Sequence, residues 1–95
     1  MVAYIIAQVD VTDVEQYKQY TALTPAIIAD HGGRFIVRGG RTVALEGEDD
    51  SRRVVVIEFP SLEQAEDFYK SPAYQKAKAM RAGAADARFI AVEGV

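Results

Sequence analysis

The stretch Arg53-Val54-Val55-Val56-Ile57-Glu58-Phe59, closed by Pro60-Ser61, decides the fold. Its β-branched and aromatic residues predict a strand. Side chains alternate across a strand, so Val55, Ile57 and Phe59 share one face while Val54 and Val56 share the other. Both faces are apolar. The first strand, Val2 to Asp10, repeats the pattern, with Ala3, Ile5, Ala7 and Val9 set against Val2, Tyr4 and Ile6. An antiparallel sheet with one wet face alternates apolar and polar side chains, and helices cover only one face of it. The second apolar face therefore calls for another sheet. The chain has no residues to spare for one, and the expected partner is a second copy, giving a homodimer.

Working outward, Thr12 and Glu15 have capping-box spacing before a helix over Val14 to His31. At 100° per residue, Val14, Tyr17, Tyr20, Leu23, Ile27 and Ile28 fall on one half of that helix. Pro25 is expected to bend it, or to restart it with Thr24 as a cap. Gly32-Gly33 stops the helix, and a strand is expected from Arg34 towards Glu46, broken at Gly39-Gly40. Gly47 to Ser51 is a polar hairpin loop. Ser61 and Gln64 offer a second capping box, followed by a buried stripe of Leu62, Ala65, Phe68 and Tyr69. Ser71-Pro72 breaks and restarts this helix, and Tyr74, Ala77, Met80 and Ala84 continue its apolar face. Ala87 to Glu93 is the last strand. The order β-α-β-β-α-β predicts one ferredoxin-like α+β domain over residues 1–95. In it, two helices cover one face of a four-stranded antiparallel sheet.

Size and charge narrow the function classes. The chain has 95 residues, with 11 basic and 14 acidic side chains and a net charge of −3. A domain of this size buries only about 60–65% of its unfolded surface, which adds weight to the expected partner subunit. With no cysteine and no basic leader or long apolar run, a cytoplasmic protein is expected. A pI near 5.0 without a basic cluster argues against nucleic acid and membrane surfaces. One histidine and no cysteine leave no zinc site of the usual kind within one chain. No phosphate-binding glycine loop, nucleotide fingerprint or nucleophile elbow is present. No cofactor is expected.

The sequence resembles the small bacterial proteins of the DUF1330 family, within the dimeric α+β barrel superfamily. The resemblance covers essentially the whole chain. It is carried by Ala3-Tyr4, Val11-Thr12-Asp13 with Tyr17, Gly32-Gly33-Arg34-Phe35, Val37-Arg38-Gly39-Gly40, Leu45-Glu46-Gly47, Arg53 to Ser61, Tyr69, Ser71-Pro72-Ala73-Tyr74 and Arg81. It implies a homodimer whose two sheets pack face to face, and it implies no reaction, since the family has none assigned.

Candidate site residues are polar groups standing where an apolar one is expected. His31 ends the first helix, where it either caps the last carbonyls or serves as a general base. Arg38 is placed on the face of Ile36, and Glu58 on the face of Val54 and Val56. The two are expected to be neighbours across the hairpin, either as an ion pair or as a catalytic couple. In that couple Arg38 holds a carboxylate or enolate while Glu58 accepts a proton. Tyr69, Tyr74 and Arg81 form a second group, read either as a snorkelling cation on aromatic packing or as an anion-binding patch. The acidic run from Glu46 to Asp50 lacks calcium-loop spacing and is read as a solvated tip. His31, Arg38 and Glu58, with Tyr69, Tyr74 and Arg81, are expected to line one pocket between helices and sheet.

Two functions follow. One is a cofactor-independent enzyme acting on a small carbonyl, enol or aromatic substrate, by analogy of fold. Here the chain departs from haem-degrading members of the superfamily, having no Asn or Trp. It also offers no clear counterpart of their relatives' His-Asp dyad. The other is a non-catalytic dimeric binder of a small hydrophobic acid.

Overall fold

The computed structural model describes all 95 residues, Met1–Val95. Seven elements follow one another: β1 (Ala3–Val11), α1 (Val14–Asp30), β2 (Arg34–Arg38), β3 (Arg53–Phe59), α2 (Leu62–Lys70), α3 (Pro72–Ala79) and β4 (Ala85–Glu93). The strands form one antiparallel sheet in the order β2-β3-β1-β4. This is the ferredoxin-like arrangement, with the second helical segment divided into α2 and α3 at the expected break. Ser71 is the reason. Its hydroxyl donates to the Phe68 carbonyl at 2.7 Å and accepts from the Tyr74 amide at 3.1 Å, closing α2 and opening α3 at one residue. Pro72 then occupies the first helical position, where its missing N–H costs nothing.

The inner, helix-covered face of the sheet carries Ile5, Ala7, Val9, Val55, Ile57 and Phe59. These pack against Tyr17, Tyr20 and Ile28 of α1, Ala65 and Phe68 of α2, and Tyr74 and Ala77 of α3. Burying a side chain such as Phe68 contributes about 1.5–3 kcal/mol. Gly33 brings the chain off α1 so close to β3 that a Cβ there would stand 2.6 Å from the Phe59 ring.

The outer face carries Tyr4, Ile6 and Gln8 of β1, flanked by Glu58, Val56 and Val54 on β3 and by Val92, Ile90 and Arg88 on β4. No element of the chain covers it. Ile90 and Val92 are 46% and 43% exposed.

Several local expectations change. Asp13, rather than Thr12, caps α1, its carboxylate accepting from the Gln16 amide at 3.1 Å. Thr12 is committed elsewhere, its amide bonded to the Ala84 carbonyl at 2.8 Å. Pro25 does not restart α1, which runs unbroken through it. The Thr21 carbonyl that Pro25 cannot bond receives the Thr24 hydroxyl at 3.5 Å. Val14 and Leu23 are exposed, and Thr24 takes the buried position. Beyond Arg38 the expected strand does not continue. Gly39, at φ +72°, turns the chain away after a last bond to the Val54 carbonyl, so residues 40–46 lie outside the sheet with Leu45 wholly exposed. β4 starts at Ala85, two residues before the expected Ala87, because β1 runs on to Val11 and pairs with it.

Candidate functional site

Glycine and a bulge shape the site. The β2–β3 register pairs Phe35 with Ile57, then Val37 with Val56 and Arg38 with Val55, so one extra residue lies between Phe35 and Val37. A bulge reverses the facing of everything after it. Arg38 therefore joins Phe35 on the inner face rather than Ile36 on the outer one, and its guanidinium lies 4.3 Å above the Phe35 ring. Arg38, Val55, Ala7 and Phe89 now form a row across all four strands. Over this row, beneath α1, runs a narrow cleft of about 30 Å³ walled by Tyr17, Tyr20 and Thr24.

Arg53, paired with Val9 on the inner face, enters the same cleft. Its guanidinium lies directly on the Gly39 backbone, where any Cβ would collide with it. Its Nε is buried without a hydrogen-bond partner. Arg81, after α3, is only 8% exposed. Its guanidinium lies between the Tyr20 and Phe89 rings, 5.1 and 5.4 Å from their centres, and its Nε too is buried without a partner. Tyr74, fully buried, shares a 2.8 Å hydroxyl–hydroxyl bond with Tyr20.

No carboxylate answers these charges. The ion pairs of the molecule are Lys18–Glu15, Arg34–Glu58, Arg52–Asp50 and Lys70–Glu66, and none involves Arg38, Arg53 or Arg81. Burial raises the Tyr17 phenol above its ordinary value, against the opposing pull of Arg53, Arg81 and Arg38. Burial and the neighbouring Tyr74 hydroxyl raise Tyr20 further. Both phenols stay protonated at neutral pH and can donate hydrogen bonds. For Arg81, burial works against the charge, but the Tyr74 and Tyr20 hydroxyls outweigh it and hold its pKa above the ordinary value.

The expected convergence of His31, Arg38 and Glu58 is not found. His31 closes α1, its Nδ1–H donating to the Ile27 carbonyl at 2.8 Å, and its ring stands edge-on to Phe68 at 5.9 Å. Glu58 lies on the outer face beside Tyr4 and accepts from the Arg34 Nε at 3.3 Å. The bulge is what separates it from Arg38. The three residues occupy three environments. Tyr74 and Arg81 do come together, with Tyr20 as their link. Tyr69 packs on Tyr74 at 5.1 Å but opens onto a different cleft, between α2 and β4. That cleft measures about 300 Å³, is mainly apolar and is lined by Ile5, Ala65 and Ile90. Its two charged groups, Glu66 and Lys70, already pair with each other, so the smaller cleft has the unmet chemistry. No three His, Cys, Asp or Glu side chains come together as a metal-binding group.

Sequence reading missed Tyr17, Tyr20 and Arg53. Arg53 had a signal, since it shares the alternation of Val55, Ile57 and Phe59 and so had to enter the inner face. The tyrosines gave no such signal, because on a helix stripe they are indistinguishable from core.

The sheet order, helical layer and inward cleft define a ferredoxin-like α+β protein. The chain belongs to the family described as Domain of unknown function (DUF1330), whose profile matches residues 2–95. No curated protein matches it. A crystal structure of a protein of unknown function from Rhodopseudomonas palustris is similar at TM-score 0.79 and 21% identity, over 99% of this chain and 82% of that one. A dimeric ferredoxin-like protein of unknown function from Jannaschia sp. CCS1 gives TM-score 0.72 and 11% identity, over 99% and 100% of the two chains. SnoaB, a cofactor-independent oxygenase from Streptomyces nogalater, gives 0.66 and 12%, over 99% and 93%. At these identities the likeness is one of fold. No helix is long and apolar enough to cross a membrane.

Proposed function

We propose that the protein is a homodimer, each protomer of which binds a small, partly apolar acid as its anion in the cleft between α1 and the sheet. The observation that carries this is Arg53: a guanidinium seated against Gly39, its Nε buried and unbonded, with no carboxylate in ion-pairing range. A buried charge without a partner is costly, and a carboxylate supplies both the charge and the planar acceptors that guanidinium matches. Tyr17 and Phe35 offer flat apolar walls to the rest of the ligand. The outer face supports the dimer, since a partner sheet there would bury Ile6, Val56, Ile90 and Val92. The Jannaschia neighbour, described as dimeric, is consistent with it. The absence of cysteine supports a reducing compartment such as the cytoplasm.

A second reading makes the bound acid a substrate, an enol or aromatic compound transformed without a cofactor. SnoaB's described activity on this fold supports it, as does a cleft of donors suited to an enolate oxygen. It stands second because that chemistry needs a proton acceptor, and His31 and Glu58 lie outside the cleft. Calorimetric titration with benzoate and with benzamide, which has the same shape without the charge, tests the binding. Benzoate is expected to bind at least tenfold more tightly. Equal affinity, or no binding of benzoate at millimolar concentration, overturns the proposal.

A further inference from the structure

We infer that the ligand of the cleft carries two anionic groups, one at each end of a flat apolar middle. This rests on the small-acid reading above and specifies the acid. The positive groups are placed at both ends of the row Arg38–Val55–Ala7–Phe89. Arg38 and Arg53 stand at the β2–β3 end, and Arg81 stands beside Phe89 on β4, at the other end. Three strand spacings of about 4.8 Å separate the two ends of the row. Between them the walls are the rings of Tyr17, Tyr20, Phe35 and Phe89.

A single carboxylate at Arg38 and Arg53 would leave Arg81 as it stands now, more than nine-tenths buried and bonded to nothing more acidic than two phenols. Arginine at this depth is ordinarily paired. A second anionic group reaching past the Tyr20 and Phe89 rings would meet the buried guanidinium, with the Tyr20 hydroxyl as a further donor. The cleft is narrow. Arg81 lies behind the Tyr20 and Phe89 walls of the cleft, so entry of the diacid requires those rings to part as well as movement of Arg38, which is exposed and held over Phe35 by stacking.

The test uses benzene-1,4-dicarboxylate and its monoamide, which differ only in the charge of one end, titrated into the full-length protein. The diacid is expected to bind at least tenfold more tightly than the monoamide. Arg81→Gln should erase that difference, Arg81→Lys should retain part of it, and Arg34→Gln, on the outer face, should leave it intact. Equal affinity of the two compounds for the unmodified protein overturns the inference while leaving the small-acid reading standing, and needs no variant to fold. Binding of neither compound, together with failure of benzoate, overturns both. A diacid advantage reduced as much by Arg34→Gln as by Arg81→Gln indicates a diffuse positive field and also overturns the inference.

Discussion

The two faces of the sheet are built from the same alternating strands and are left with different needs. On the outer face Glu58 pairs with Arg34 and Arg88 has no ion-pair partner, while Ile6, Val56, Ile90 and Val92 are covered by no helix or strand of the chain. On the inner face the apolar groups are covered by three helices, while Arg38, Arg53 and Arg81 have no acidic partner. Surplus apolar surface is relieved by another protein surface. The buried, unbonded Nε groups of Arg53 and Arg81 would be relieved on the proposed reading by a small counter-ion, because a protein partner cannot reach beneath α1. On the proposed reading, one sheet separates assembly from ligand recognition.

The largest effect is expected on the outer face. Ile6→Asp places a charge in the proposed interface, a change of about 3–5 kcal/mol for an unpaired buried charge. Light scattering should fall from twice the chain mass to about 10.4 kDa. A dimer that survives at micromolar concentration breaks the comparison. Phe68→Ala removes a fully buried ring from the inner core and should cost about 3–5 kcal/mol in denaturant unfolding. The two variants separate by concentration. The Phe68→Ala loss is present at every protein concentration, whereas the Ile6→Asp effect acts through association and changes the concentration dependence of unfolding.

Alkaline pH probes the inner face through its phenols. Tyr17 and Tyr20 have folded pKa values raised above the ordinary 10. The folded state therefore holds their protons more tightly than the unfolded state does. Their contribution is complete below pH 10 and is lost as pH rises beyond it. Urea midpoints should decline above pH 10, and Tyr20→Phe should flatten the decline. A midpoint that holds constant to pH 11 contradicts this.

The smallest effects contrast one arginine with one glutamate. Arg53→Met should reduce benzoate affinity at least tenfold while leaving stability unchanged or higher, because it removes an unpaired half-buried charge. Glu58→Gln breaks a pair whose arginine is 72% exposed and should cost under about 1 kcal/mol, with no change in benzoate affinity. A clear stability loss in Arg53→Met would mean that its charge is answered within the protein.

Most of the fold was legible because it rests on alternation. The two apolar faces of β1 and β3 are written directly in Ala3 to Val9 and Val54 to Phe59, and Ser71-Pro72 marks the helix break. The site was less legible because it depends on a single bulge. Counting by twos from Phe35 sends Arg38 to the outer face beside Glu58. The extra residue before Val37 sends it inward, away from Glu58 and towards Arg53. His31 illustrates another limit. A histidine at a helix end reads equally as cap or base, and only the bond to the Ile27 carbonyl decides that it caps. In the sequence Thr24 reads as a candidate cap and Arg81 as a snorkelling cation or an anion-binding patch, because helical periodicity gives the direction of a side chain but not the depth of the layer above it.

The central claim is that the buried Arg53 Nε is unbonded until an acid arrives, and Nε–H resonances report this directly. In nitrogen-15 spectra recorded during titration with benzoate, the Arg53 Nε–H should shift and saturate, while the Arg34 Nε–H, already bonded to Glu58, should stay in place. Equal, non-saturating shifts of both, or no shift at Arg53 up to millimolar benzoate, would contradict the account.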